Sequence, residues 1–208
     1  MYHTISTSAG STFRDRGSKF TGFLLHVSTR GDIDRELKVL HGRYPDATHH
    51  CYAWRLMEEN LHEYGADAGE PSGTAGAPIL NALREASLVN VLLVVVRYYG
   101  GTKLGKPGLI NAYSETASAC IAAAAKVPAV KAAGFRVLYP YNLKRKIGSL
   151  LHKYAIIEAG TEFTDQVSAE VWCPVESADL FRADLEALSY LEVSYIETET
   201  GMVVRCET

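Results

Sequence analysis

The run Asn90 to Tyr98, "NVLLVVVRY", constrains this chain more than any other stretch, because six consecutive residues, Val91 to Val96, are apolar and four of those are valine. Without polar alternation it reads as a strand buried on both faces, and it is far too short to cross a bilayer. It therefore belongs at the centre of a sheet. Around it, Lys19–Val27 and Thr48–Arg55 read as further strands, and Ile33, Leu37 and Leu40 give a helix from about Asp32 to Arg43, stopped by Pro45-Asp46. Ile79, Leu80 and Leu83 stripe a helix over Ala77–Ala86, with Ser72 or Thr74 as its expected N-cap. An alanine-rich helix follows, from about Gly108 to Lys126, whose small side chains predict close packing on a sheet.

At Val127-Pro128 the pattern changes, which places a boundary near 127–132 and predicts two domains, 1–129 and 130–208. The second part reads strand (Gly134–Tyr139), helix (Leu143–Tyr154), strand (Ile156–Thr161), strand (Gln166–Cys173), helix (Ser177–Ser189) and strand (Glu192–Glu197). A short last strand is expected over Met202–Cys206. That order is the βαββαβ of a ferredoxin-like domain, so the expected class is α+β. Residues 1–130 hold 13 Lys and Arg against 12 Asp and Glu, and residues 131–208 hold 8 against 12. With a net charge of -3 the chain does not coat nucleic acid by bulk electrostatics, so any polyanion site must be local and is expected in the first part. Cys51, Cys120, Cys173 and Cys206 are too widely spaced for a zinc knuckle or redox motif, and read as reduced, mostly buried thiols. The N-terminus lacks the pattern of a signal peptide and no run reaches membrane length, so a cytoplasmic location is expected.

Two glycine-rich stretches carry the candidate chemistry. "DAGEPSGTAG" (67–76) has no large apolar side chain and leads into a helix. Asp67 and Glu70 beside that helix start, with Ser72, Thr74 and free N–H groups, suit an anion; alternatively the two carboxylates cap backbone amides. In "YYGGTKLGKPG" (98–108), Gly100, Gly101, Gly105 and Gly108 permit close backbone approach, and Arg97, Lys103 and Lys106 add charge. That stretch is either a phosphate cradle, though not a Walker loop, or a structural turn between strand and helix. If the two loops converge, Arg97 and Glu70 can pair, with His49, His50 and Tyr52 lining the same cleft. Adjacent strand residues point to opposite faces, so at most one histidine joins Tyr52 there. No metal set is expected, no cofactor is implied, and neither Ser72 nor Cys51 sits in a nucleophile motif, so no catalytic residue is assigned.

Three ordered stretches together resemble one family. "FRDRGSKFTGF" (13–23), "HHCYAWR" (49–55) with "DAGEPSGTAG", and "VVVRYYGGTKLG" (94–105) with "AYS" (112–114) are similar to the IMPACT/YigZ family, bacterial proteins and the eukaryotic translation regulator IMPACT. The resemblance implies a first domain of the ribosomal-protein/elongation-factor-G type and a second like the ferredoxin-like part of that factor. Pro107 stands where a glycine is common. Two functional classes follow. One is a translation-associated binding protein that engages RNA, the ribosome or a translation factor through Arg14, Arg16, Lys19, Arg97, Lys103 and Lys106. The other is a hydrolase or transferase acting on a phosphorylated or peptide-like small molecule in the same cleft. The cations at 14, 16 and 19 read equally as a solvated hairpin, and Lys144, Arg145, Lys146 and Lys153 make a basic helix face in the acidic second part.

Overall fold

The computed structural model describes residues 2–58 and 60–204, with side chains described as far as 201. It is a mixed α/β structure that divides into two compact units, Met1–Pro128 and Ala129–Thr208.

The apolar run is β6 (Val91–Tyr98), and it lies in the middle of a five-stranded sheet ordered β2-β3-β6-β4-β5. Its neighbours are β3 (Ser18–His26) and β4 (His49–Met57), both antiparallel to it. The outer strands are β2 (Ala9–Asp15) and β5 (Leu61–Ala66), and β1 (Tyr2–Ile5) bridges at His3 to Leu88. Alternation along β6 divides the core in two. Val91, Leu93 and Val95 pack with α2 (Gly76–Glu85) and α3 (Gly105–Ala123), while Leu92, Val94 and Val96 pack with α1 (Arg30–Arg43). A strand without polar alternation is stable here because helices cover both faces.

Local chemistry explains the helix ends. Thr29 and Asp32 form a reciprocal capping box at the start of α1. α2 starts at Gly76, but neither Ser72 nor Thr74 caps it; Asp67, nine positions upstream, accepts from the Ala75 and Gly76 amides at 2.9 Å and from the Gly73 amide at 2.8 Å. The alanine-rich helix ends at Ala123 rather than Lys126, since Ala124 is already extended and Lys126 opens the next strand. α3 does lie close on the sheet: a Cβ at Gly22 would stand 2.5 Å from Cys120 Sγ.

That next strand is β7 (Lys126–Tyr139), so the chain passes from the first unit to the second inside a continuous strand, with Pro128 within it. α4 (Lys144–Lys153), β8 (Ile157–Phe163), β9 (Val167–Pro174), α5 (Ala178–Glu186) and β10 (Ser194–Val204) follow. Within the second unit the strands are ordered β10-β7-β9-β8 and every pairing is antiparallel. Phe135, Val137, Val171 and Cys173 face Ile147 and Phe181 of the two helices in its core. The separate last strand expected over Met202–Cys206 merges into β10 through a register shift between Glu197 and Thr200, and Cys206 lies outside the described residues.

Candidate functional site

The β2–β3 hairpin turns in two residues. Arg16 and Gly17 take positive φ of 45° and 81° between the paired Asp15 and Ser18, the twist that a two-residue hairpin favours. The turn then meets the loop after β6 backbone to backbone: a Cβ on Gly100 would stand 2.0 Å from the Gly17 carbonyl carbon. Only glycine fits at Gly100. Ser18 Oγ reinforces the seam by accepting from the Gly100 amide at 3.1 Å.

Behind the seam, Arg97 Nη1 donates to Glu70 Oε1 at 2.5 Å, so the loop after β5 and the end of β6 do converge through these side chains. The Tyr113 hydroxyl donates to the same Glu70 oxygen at 2.8 Å, and Arg97 Nη2 reaches Ser18 Oγ at 3.4 Å. Cys51 Sγ stands 3.0 Å from the Asp67 carbonyl oxygen and 3.2 Å from the Tyr113 hydroxyl, so its one proton serves either. His49 completes the group, with Nδ1 2.9 Å from the Ala68 carbonyl and Nε2 3.9 Å from Glu70 Oε2. The Arg97 guanidinium carbon also lies 5.3 Å and 5.5 Å from the Phe20 and Tyr99 ring centroids.

Burial decides what this network can do. Arg97 is 5% exposed and Glu70 9%, so the ion pair fills the space where the loops meet. Arg97 is thus spent on Glu70, and its expected phosphate contact gives way to a supporting role. Thr74 is buried too, and its hydroxyl donates to the Pro71 carbonyl rather than facing a ligand. The α2 amides are occupied by Asp67: burial alone would raise its carboxyl, but donation from the Gly73, Gly76, Ala75 and Thr74 amides holds it below the usual range. Burial pushes the Cys51 thiol up to about 12, which leaves no thiolate for nucleophilic chemistry near neutrality.

The residues expected to line one cleft divide between the two faces of the sheet. His49 joins Asp67 and Glu70, whereas His50 stacks on His41 of α1 at 3.9 Å between ring centroids. Tyr52 lies on the face of His50, beside Trp54 and Tyr64 in a cleft of about 530 Å³ that neither glycine-rich loop lines. Sequence reasoning missed Ser18 and Tyr113. The usable signal for Tyr113 was its place in the inward stripe Leu109, Ala112, Tyr113, Thr116, Ala117, Cys120.

Outside the network the seam is exposed and basic. Arg14 and Arg16 on the hairpin and Lys103 and Lys106 around the start of α3 are exposed, as are Gly100, Gly101, Ser72 and the Tyr99 ring; Lys19 is half-buried. Lys19 pairs in register with Tyr98, which sets hairpin and loop at one end of the sheet. Among the described residues none of these five cations makes an ion pair. Nor does any group of three or more His, Cys, Asp or Glu among them suit a metal ion.

Fold and site define a mixed α/β protein of two units whose first sheet ends in a glycine seam, held from behind by a buried ion pair and edged with cations. The Impact N-terminal domain family model matches residues 16–121, which include the whole seam. The chain belongs to the IMPACT family. IMPACT family member YvyE of Bacillus subtilis (strain 168) is 36% identical over 117 residues, 56% of this chain and 54% of the relative. An IMPACT family member of Haemophilus influenzae is 33% identical over 141 residues, 67% of this chain and 68% of the relative. For IMPACT family member YigZ of Escherichia coli (strain K12) the figures are 39% over 98 residues, 46% of this chain and 48% of the relative. The matches thus span from about half to two thirds of these relatives. The crystal structure of a hypothetical protein is similar in fold, with a TM-score of 0.67 at 24% identity over 95% of this chain and 97% of that one. No helix among the described residues is long and apolar enough to cross a membrane.

Proposed function

We propose that this protein is a translation-associated binding protein that engages RNA phosphates, on the ribosome or on free RNA, at the basic end of its first sheet. The observation that carries the reading is the set Arg14, Arg16, Lys19, Lys103 and Lys106, brought to one end of the sheet and making no ion pair among the described residues. Cations left unpaired on a backbone fixed by a glycine seam are arranged for phosphates, which position a protein without reading sequence. The translation setting comes from the family, whose eukaryotic namesake regulates translation. The finer fold assignment belongs to the same proposal: residues 1–129 as an IMPACT-type domain of the ribosomal-protein/elongation-factor-G type, and residues 130–208 as ferredoxin-like. The β10-β7-β9-β8 order supports the second.

Two measurements on the purified protein separate this reading from an enzyme of phosphorylated metabolites. Ribosome co-sedimentation that Lys103→Ala/Lys106→Ala weakens, with no thermal stabilisation by nucleotides or sugar phosphates, is the expected result. Stabilisation by such a metabolite, with unaltered co-sedimentation of the double variant, contradicts it.

A further inference from the structure

Among the aromatic rings that the second unit exposes, two lie side by side and are not used by its own core. Tyr141, just before α4, and Phe163, at the end of β8, are 48% and 56% exposed. Their ring centroids lie 6.3 Å apart with planes inclined by 20°. The Tyr141 hydroxyl donates to the Thr164 carbonyl at 2.5 Å, so the ring is held against the β8–β9 hairpin. Lys144 Nζ sits 5.1 Å from the Phe163 centroid, and Arg145 and Lys146 are exposed on the same first turn of α4. Three cations in a first turn oppose the helix dipole, so they do not serve the helix itself. None of the three forms an ion pair among the described residues. They stand out in a unit that carries an excess of acidic residues.

We infer that Tyr141 and Phe163 form a stacking platform for a base of single-stranded RNA, with Lys144 and Arg145 contacting the adjoining phosphates. Base-stacking sites combine aromatic faces with a cationic track and tolerate any base, since every base has a π-face. An acidic peptide would use the cations and leave the rings idle. Glu162 and Asp165, exposed on the same hairpin, are acidic, so the cations available to phosphates beside the rings are those of α4. The site lies in the second unit and does not rest on the reading of the first.

The test is fluorescence anisotropy with a labelled 12-nucleotide uridine RNA and the full chain in a Lys103→Ala/Lys106→Ala background, titrated at several salt concentrations. Tyr141→Ala/Phe163→Ala should weaken binding at least about fivefold, the low end of the loss of one stacked base, and leave the salt dependence unchanged. Phe163→Trp, which keeps a π-face, should retain affinity. Lys144→Ala/Arg145→Ala should instead make the salt dependence shallower, by about 0.7 per lost phosphate contact. Because both rings are exposed, circular dichroism should show an unchanged fold. Unaltered affinity in the ring variant, no RNA binding in the background protein, or equal binding of a polyglutamate peptide that depends on the same rings would each overturn the inference. Loss of binding on changing Lys103 and Lys106 alone, with the ring variant silent, would refute this site and leave the first one standing.

Discussion

Arg97 and Glu70 place opposite charges where water barely reaches either, so the pair cannot be removed by halves. Arg97→Met leaves a buried carboxylate that has lost its ion-pair partner, and the loss of stability should be about 3–5 kcal/mol in urea unfolding. Changing Glu70 to Gln in the same chain removes the stranded charge and should recover part of it; a double variant less stable than Arg97→Met would refute the clasp. Asp67→Ala removes the acceptor of three loop amides and should cost about 1–3 kcal/mol. Asp67 is held below its unfolded value, so its contribution is present above the ordinary carboxylate range and is lost as pH falls through the folded value. Both carboxylates stood out in the sequence because acids in an apolar-free, glycine-rich stretch need a purpose. Ser18 and Tyr113 did not, since they meet Arg97 and Glu70 across 79 and 43 positions.

At the scale of elements, α3 lies on β3 at a distance that only glycine allows. Gly22→Val would drive a side chain into Cys120 and Thr116 and should cost about 1–3 kcal/mol by overpacking. Cys120→Ala, which frees space, should return part of that loss in the double variant, whereas additive costs would place the strain elsewhere. How much of the fold was readable follows from the same physics. β6 declared itself because a strand buried on both faces has no polar alternation to hide it. β2 ("AGSTFRD") and β5 ("LHEYGA") did not, since edge strands are half exposed and polar enough to pass for loops. The hydroxyls next to α2, Ser72 and Thr74, do not cap it; Asp67, just after β5, takes its amides, the backbone-capping alternative that the sequence leaves open for that carboxylate. Pro128 signals a break, and the two compact units divide directly after it, although inside a continuous strand that accommodates the proline near its start.

For the molecule as a whole, the imidazoles give a dependence on pH with a definite sign. Burial holds His50 below 6.5, helped by His41, and burial also lowers His26 against the opposing pull of Asp32. A histidine lowered in the fold binds fewer protons there than in the unfolded chain, so stability is full above pH 6.5 and falls as the pH drops below it. Thermal unfolding between pH 8 and pH 5 should show that decline, and His50→Leu should flatten it; an equal decline in the variant would assign the effect to other groups. The uneven distribution of charge was legible from the sequence and pointed to the first part, but the partnership of hairpin and loop was not, because it depends on two glycines 83 positions apart. The central claim is that this partnership presents cations to phosphates, and the slope of log Kd against log salt concentration for ribosome binding tests it most directly. Replacing Arg14, Arg16, Lys103 and Lys106 together by Ala should make that slope shallower by about three, at 0.7–0.9 per phosphate contact, with an unchanged fold. A slope identical to that of the unaltered protein would contradict the account.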